Sequence, residues 1–323
     1  KPAFCIMKHF LINILTLFSI LITAISCSPK VEIIPAELAY KAEATTGEGS
    51  IWDPYRQTLF WVDIEGQTLY EYDPDTKECD SWKFDRMVST VVPETDSTVI
   101  IALQNEIVRV NLADGQTTSV APIPDNDGKV RCNDGKCDPA GRLWIGTMGF
   151  GAPKGAGTLY CVLPDGTIST KLQKVTISNG IVWTANKRFM YYNDTPTGKI
   201  ARYRYDPDNG DILFDGIAID LPEGTGAPDG MTIDSQDHLW VAQWGGYGVY
   251  CYNPYTGELL AKVDVPAPNV ASCAFGGKKL DTLYITTARA GLSEEQLRKY
   301  PLSGSVFSCK PGAKGVAANS FGN

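Results

Sequence analysis

Histidine is almost absent from this chain, and its scarcity limits the chemistry that the protein can carry out. The 323 residues include two histidines, His9 and His238. His9 falls in an N-terminal segment that we interpret below as a targeting signal. A Ser-His-Asp triad, a Cys-His pair or a histidine-rich zinc site would therefore have to be built around His238 alone. His238 itself precedes a strand-like run in a turn, where we expect it to face solvent.

The chain also lacks a basic block and long amphipathic helices. Its 29 Lys and Arg residues stand against 37 Asp and Glu residues, which gives a formal net charge of −8. An acidic chain with no cluster of positive charge is unsuited to following a phosphate backbone, so we expect no nucleic-acid partner. Only residues 293–300 have the spacing of a helix, over about two turns.

The first apolar run is typical of export. A basic start is followed by an apolar stretch over residues 10–26 and then by Cys27. This order indicates a secretory signal, and its end resembles a bacterial lipoprotein box, in which the cysteine carries the lipid. We predict a targeting segment over 1–27, a domain over 28–323, and a protein in the bacterial periplasm or anchored to the membrane through Cys27. The alternative is an uncleaved membrane anchor, because the run is close to the shortest helix that spans a bilayer.

The cysteines that follow this segment have no clear pairing pattern. Export would place them in an oxidising compartment, where disulfides can form. Their number is odd, and their spacing is unlike that of a zinc ribbon. We expect most of them to be small core residues. They are Cys79, Cys132, Cys137, Cys161, Cys251, Cys273 and Cys309.

A strand-like motif recurs six times along the rest of the chain. The copies begin at residues 59, 99, 143, 189, 239 and 283. Each is followed by a second alternating strand and a polar turn, and the spacing is typical of four-stranded propeller blades. We predict an all-β fold in one domain, a six-bladed β-propeller of four-stranded antiparallel blades. Residues 31–44 would supply a strand missing from the last blade, and the alternative is a large β-sandwich.

Four polar residues precede these strands at nearly the same offset, and glycine follows each of them closely. They are Glu48, Asn133, Asn179 and Asp229. Equivalent positions of a radial repeat point at the same axis, so we expect the four side chains to meet there. Two carboxylates would repel each other unless a cation or a shared proton neutralised them. An all-oxygen set favours Ca²⁺, Mg²⁺ or Mn²⁺ over Zn²⁺. The alternative is that each pair is an ordinary hairpin turn.

Short motifs around these positions have a recognisable combination. They are Gly47-Glu48-Gly49-Ser50, Trp61-Val62-Asp63, Arg131-Cys132-Asn133-Asp134-Gly135-Lys136, Ser178-Asn179-Gly180, Pro228-Asp229-Gly230-Met231 and Phe275-Gly276-Gly277. Together they resemble the senescence-marker-protein, regucalcin and gluconolactonase family, and the similarity runs from residue 45 to about residue 318.

The resemblance implies a six-bladed propeller that hydrolyses sugar lactones with one divalent metal ion in its channel. By position, Glu48, Asn179 and Asp229 match the family's metal ligands. The ion could be Ca²⁺, Mg²⁺, Mn²⁺ or Zn²⁺, and we favour Ca²⁺ because the ligands are all oxygens. Arg131 and Asn133 match residues that hold the substrate.

One part of the family's pattern is missing. The vertebrate members have a further substrate-binding Glu soon after the motif that corresponds to Gly146-Thr147-Met148. The equivalent stretch here, residues 149–157, contains no carboxylate. The resemblance therefore does not point to gluconolactone in particular.

Trp244 follows a central strand, and it either packs in the core or lines the mouth of the channel.

These residues support a mechanism without histidine. Asp229 would be the catalytic base that takes a proton from the attacking water, while Arg131 and Asn133 orient the sugar. Arg131 could instead form a structural ion pair with Glu48 or Asp134. A phosphotriester or aryl-ester hydrolase and a non-catalytic calcium-binding propeller remain open, although no apolar funnel is visible in the sequence and this favours lactones. We expect a monomer whose partner is a small sugar lactone.

Overall fold

The computed structural model describes residues 31–125 and 127–323, and the targeting segment predicted over 1–27 lies outside them. This part of the chain forms strands throughout, with one short helix and a 3-10 turn over Thr195–Thr197. Among the residues described, neither helical segment has the length and apolar character that a membrane crossing requires.

Four sheets have four strands each, paired in chain order and antiparallel. The first contains β3 (Gly47–Asp53), β4 (Thr58–Asp63), β5 (Thr68–Tyr72) and β6 (Cys79–Lys83). The second contains β7 (Val88–Pro93), β8 (Thr98–Leu103), β9 (Glu106–Asn111) and β10 (Thr117–Pro122). The third contains β11 (Val130–Cys137), β12 (Leu143–Gly149), β13 (Gly157–Val162) and β14 (Ile168–Val175). The fourth contains β15 (Ser178–Trp183), β16 (Phe189–Asp194), β17 (Lys199–Tyr205) and β18 (Ile212–Asp220).

The remaining strands form one nine-stranded sheet. Its C-terminal members are β19 (Ala227–Ile233), β20 (Leu239–Trp244), β21 (Gly248–Tyr252), β22 (Leu259–Asp264), β23 (Asn269–Gly276), β24 (Thr282–Ala288) and β25 (Val306–Cys309). The N-terminal strands β1 (Glu32–Pro35) and β2 (Glu37–Tyr40) complete it. β1 lies parallel to β22, and β2 lies antiparallel to β25, so residues 31–44 supply the strand that was predicted.

The prediction of six four-stranded blades is wrong. The fold is an all-β propeller, but over residues 31–125 and 127–323 four sheets, not six, are separate four-stranded blades. β20 pairs with β23 through Trp244 and Asn269, which joins two groups of strands into the nine-stranded sheet. A sequence period shows where hairpins recur, but it carries no information about a single pairing between neighbouring hairpins.

The innermost strands surround an axis. β3 contacts β7, and the contacts continue through β11, β15, β19 and β23 back to β3. The pairing register is irregular in β3, β11, β15 and β19, the four strands that carry the predicted site residues. Such a bulge bends a strand and redirects the side chains beside it. Each of the four strands is therefore irregular next to the residue that it contributes to the predicted site.

Aromatic and aliphatic side chains fill the space between the sheets. Trp61 and Trp144 are completely buried, and the ring of Trp52 stacks on that of Tyr284 with 5.7 Å between centroids. Burial of each large apolar side chain contributes about 1.5–3 kcal/mol. The seven cysteines described are unpaired and five of them are buried, as expected of small core residues.

A short helix and the C-terminal segment complete the structure. The helix α1 (Glu294–Lys299) begins after Ser293, which forms a capping box with Gln296, and it confirms the helix predicted over 293–300. The C-terminal segment crosses the end of the ring where the inner strands finish. There Asn319 Nδ2 donates to the carbonyl of Cys137 at 3.1 Å.

Candidate active site

One cavity of about 260 Å³ lies where the inner strands begin, and its wall includes every residue predicted for the site. These residues are Glu48, Arg131, Asn133, Asn179 and Asp229. Four of them are almost completely buried, with exposed fractions of 6% for Glu48, 5% for Asn133 and Asn179, and 4% for Asp229. Four different sheets supply these side chains, so the cavity exists only in the closed ring.

Two glycines show why the sequence around the cavity is so restricted. Gly49 has a φ of 59°, in the left-handed region that favours glycine. A Cβ atom at Gly180 would lie 2.6 Å from the Asp229 carbonyl oxygen and 2.6 Å from Asn193 Nδ2. No side chain fits at that separation. The glycine therefore allows the strand that carries Asn179 to approach the strand that carries Asp229.

The two buried carboxylates, Glu48 and Asp229, face each other closely enough to share a proton. Burial, with a smaller contribution from the nearby Asp134, raises the pKa of Glu48 to about 8, although the Gly49 backbone N–H donates to Oε2 at 3.0 Å and opposes the shift. Burial also raises the pKa of Asp229 well above its usual value, and the Glu48 carboxylate adds to this effect. Without a cation, the pair retains a proton that isolated carboxylates release at neutral pH.

Two buried oxygens in the cavity have no hydrogen-bond partner among the residues described. They are Asn179 Oδ1 and Asp229 Oδ1. The Asn179 amide is oriented by its other end, because Nδ2 donates to Thr195 Oγ1 at 3.0 Å. A buried acceptor without a partner costs about 1–3 kcal/mol, so these atoms indicate a missing positive partner. Glu48, Asn179 and Asp229 together provide the oxygen ligands that a hard divalent cation prefers, and the site fits such an ion.

Arg131 and Asn133 are linked to each other. Arg131 Nη1 donates to Asn133 Oδ1 at 2.7 Å and to the Cys132 carbonyl at 2.9 Å. Asn133 Nδ2 donates to the Ser178 carbonyl at 2.8 Å, which fixes the amide. Among the described residues, Arg131 makes its hydrogen bonds to these neutral oxygens and has no direct ion pair with Glu48 or Asp134, although the Glu48 charge acts on it from across the cavity. Asn133 orients the guanidinium, whose remaining N–H groups are available in the cavity.

Sequence reasoning missed an acid at the mouth of the cavity. Glu65 lines the wall, and its Oε2 accepts a hydrogen bond from Thr46 Oγ1 at 2.9 Å. A signal for this position was present. Asp63, at the end of a central strand, accepts from the backbone N–H groups of Thr45 and Thr46, and Asp194 does the same in another blade. An Asp at the end of a central strand therefore recurs in two blades, and in each blade it fixes the segment that leads into the inner strand beside the cavity.

The rest of the wall is more apolar than the sequence indicated. Ile64, Met148, Ile177 and Trp244 line the cavity. Trp244 therefore lies at the mouth, one of the two positions left open for it. The expectation that no apolar surface leads to the site is wrong, because these residues lie in four separate sequence segments and form a surface only in the folded chain.

The chain is similar in sequence to a known protein family and to several of its members. A family model described as the SMP-30/gluconolactonase/LRE-like region matches residues 46–289. The chain is 37% identical over 242 residues to the pentonolactonase XacC of Haloferax volcanii, covering 75% of this chain and 81% of that protein. It is 33% identical over 291 residues to the regucalcin of Danio rerio, covering 89% of this chain and 98% of that protein.

A solved structure shows the same arrangement of strands. The calcium-binding protein regucalcin of Agrobacterium tumefaciens is 27% identical to this chain and superposes with a TM-score of 0.85. The superposition covers 90% of this chain and 99% of that protein. The family match spans every one of the five cavity residues predicted from sequence.

Proposed function

The chain belongs to the SMP-30/gluconolactonase/LRE-like family and is a lactone-hydrolysing enzyme, and we propose that it opens sugar lactones with water activated at a divalent cation in the central cavity. The observation that carries this proposal is the pair of buried carboxylates, Glu48 and Asp229, with two unpartnered oxygens in the same cavity, one on Asp229 and one on Asn179. Relatives named regucalcin, one of them described as calcium-binding, support a divalent metal, and we propose Ca²⁺.

Each side chain of the cavity has a definite task in this proposal. Glu48, Asn179 and Asp229 would hold the cation through their carboxylate and amide oxygens. When bound, the cation polarises the lactone carbonyl and lowers the pKa of water. Asp229 has a second task in this proposal, because a carboxylate has two oxygens, and one can hold the cation while the other accepts a proton.

The reaction balances with Asp229 as the only proton carrier. Water adds to the lactone carbonyl carbon while one of its protons passes to the Asp229 carboxylate. The bond between that carbon and the ring oxygen then breaks, and the ring oxygen takes the proton from Asp229. The product is a hydroxy acid, and the carboxylate returns to its starting state. Arg131, held by Asn133, donates to the substrate's oxygens and orients the ring ester.

Removal of the metal gives the direct test of this function. The metal-stripped protein is expected to lose aldonolactone hydrolysis by ~10²-fold or more, since the cation supplies several kcal/mol of charge stabilisation. Addition of Ca²⁺, Mg²⁺, Mn²⁺ or Zn²⁺ should restore turnover, measured by acid release from a panel of aldonolactones. Turnover that does not depend on metal would contradict the proposal. Restored metal binding without turnover of any lactone would instead support a binding protein.

We expect Glu65 to contribute to sugar recognition. It supplies a carboxylate at the mouth of the cavity, where residues 149–157 supply none, and its charge acts on Arg131. The Glu65→Gln variant should raise KM for polyhydroxylated lactones by ~10-fold, about the effect of losing one charged hydrogen bond, with little change in kcat. A lactone without ring hydroxyl groups is the control, and its KM should not change. An equal rise for both substrates would exclude a role in hydroxyl recognition.

A second substrate class is favoured by one observation. The apolar wall formed by Ile64, Met148, Ile177 and Trp244 suits an aromatic leaving group. The assay panel should therefore include an aryl ester and a phosphotriester. Higher kcat/KM for either of these than for every aldonolactone would assign the site to that class.

Export and a lipid at Cys27 are further proposals that rest on the sequence of residues 1–27. A monomeric state is proposed from sequence as well. Cell fractionation with metabolic labelling by a fatty acid tests the first two, and light scattering of the purified domain tests the third.

A further inference from the structure

Three side chains of types that can bind a metal lie close together near the start of β20, at the opposite end of this strand from Trp244. Asp234, His238 and Cys251 each offer one ligand atom, and these atoms lie within 4.8 Å of one another. Asp234 and Cys251 are buried, with exposed fractions of 2% and 3%. His238 does not face solvent as the sequence suggested, because its Nδ1 lies 3.3 Å from Asp234 Oδ2 and its side chain is partly buried.

The same place in another blade is occupied by an ion pair. There Asp138 Oδ2 accepts from Arg142 Nε at 2.7 Å and from Trp144 Nε1 at 2.9 Å. Trp144 pairs across the strands with Cys161, as Trp240 pairs with Cys251. Both segments have an Asp, three intervening residues, a basic residue, Leu and Trp. The two groups differ chemically in one respect, the exchange of arginine for histidine.

That exchange changes what the position can bind. Arginine has five N–H donors and no acceptor, so it cannot coordinate a metal, whereas neutral histidine has a nitrogen lone pair. Arg142 also fills its place, since Nη2 donates to the Tyr205 hydroxyl at 2.8 Å. At the second position, a cavity of about 410 Å³ adjoins the side chains of Asp234, His238 and Cys251.

The Asp234 carboxylate is already oriented toward this cavity group. Its Oδ1 accepts from the backbone N–H groups of Gln236 at 2.8 Å and His238 at 2.9 Å. Its Oδ2 accepts from Trp240 Nε1 at 3.1 Å and still has capacity for a further partner. Such outer contacts orient a metal ligand before the ion arrives, and they reduce the cost of assembling the site.

A carboxylate oxygen, an imidazole nitrogen and a cysteine sulfur form a mixed donor set. Zn²⁺ accepts all three donor types, while Ca²⁺ and Mg²⁺ prefer oxygen alone. We propose that Asp234, His238 and Cys251 bind Zn²⁺, with a fourth coordination position that opens to the 410 Å³ cavity. The ion replaces the thiol proton, which leaves to solvent, so that sulfur coordinates as the thiolate.

This zinc site is independent of the proposed lactonase site. The two cavities share no lining residue, and the described residues around the central cavity include no cysteine or histidine. The strand β20 runs between the two cavities, and its six residues span about 17 Å at about 3.3 Å per residue. A spectroscopic signal from a metal-bound thiolate therefore reports on the second site and not on the central cavity.

Titration of the purified, metal-stripped full chain with Co²⁺ tests the proposal. Co²⁺ replaces Zn²⁺ in such sites, and a bound thiolate gives a sulfur-to-cobalt charge-transfer band in the near ultraviolet. We expect this band in the native protein and in the Asp229→Asn variant, and we expect Zn²⁺ to abolish it by competition. The Cys251→Ala and His238→Arg variants should bind Co²⁺ at this site at least ~100-fold more weakly, because a direct ligand matters at least as much as its outer contacts.

The His238→Arg variant is the matched control for folding. It recreates the pair found at Asp138 and Arg142, so it should fold and should hydrolyse lactones as the native protein does. This variant decides the question even if Cys251→Ala does not fold. Loss of the band in Asp229→Asn, its persistence in His238→Arg, or failure of Zn²⁺ to displace Co²⁺ would each overturn the proposal. None of these results depends on lactone turnover.

Discussion

The Asp229→Asn variant is expected to lose lactone hydrolysis by ~10³-fold or more in kcat/KM, the largest effect of any single substitution in the cavity. Loss of a general base alone costs ~10²–10⁴-fold. Asparagine keeps the shape of aspartate and an oxygen donor, but it cannot take a proton from water. The measurement is aldonolactone turnover at saturating metal, so that weaker metal binding does not hide the chemical effect.

Glu48→Gln is the matched control for this result. Glu48 is the other buried carboxylate of the pair, but the proposed mechanism gives it no proton to carry. Its amide variant should bind the cation more weakly and should recover much of its turnover when the metal concentration is raised. If both variants recover equally, Asp229 is a ligand only and another group is the base. If neither metal nor lactone binding changes in Asp229→Asn, the site itself is wrong.

The cavity was more predictable from sequence than the arrangement of sheets. Glu48, Asn133, Asn179 and Asp229 could be identified because a radial repeat sends equivalent positions to one axis, and the bulged inner strands place them there. The nine-stranded sheet was not predictable, since one residue pair, Trp244 with Asn269, joins its halves. Alternating apolar residues show which face of each strand is buried, but a single pairing between neighbouring hairpins leaves no such alternation in the sequence.

Residues that act through distant partners were the least predictable. Glu65 reaches the cavity from a loop that Asp63 holds through two backbone N–H groups. Asp63 has a counterpart in Asp194 of another blade, but Glu65 itself follows no pattern in the sequence. His238 was expected in solvent because its segment reads as a turn, although that turn is folded around the buried carboxylate of Asp234. In each case the informative contact is between a side chain and the backbone, and such contacts are not visible in composition or periodicity.

The paired carboxylates also predict how stability depends on pH. In the metal-free folded protein the pKa of Glu48 is raised from 4.5 to about 8, so the folded state holds a proton that the unfolded chain has released. The stabilising effect of that proton is fully present below about pH 4.5 and is lost as the pH rises through about 8. Asp229 is shifted in the same direction, and its burial beside Glu48 adds to the loss.

We therefore expect the free energy of unfolding of the metal-free protein to fall by ~2 kcal/mol or more between about pH 5 and about pH 8. Urea unfolding in the presence of a chelator measures this change at each pH. Ca²⁺ at ~100 times its Kd should restore about 2.7 kcal/mol at the higher pH, because the ion pairs with the charged carboxylates of the folded state. In Glu48→Gln the decline should be much smaller, since the amide has no proton to lose and relieves the repulsion on Asp229. A metal-free protein that gains stability over this range, or a variant with the same decline as the native chain, would show that these carboxylates are not held together in the folded state.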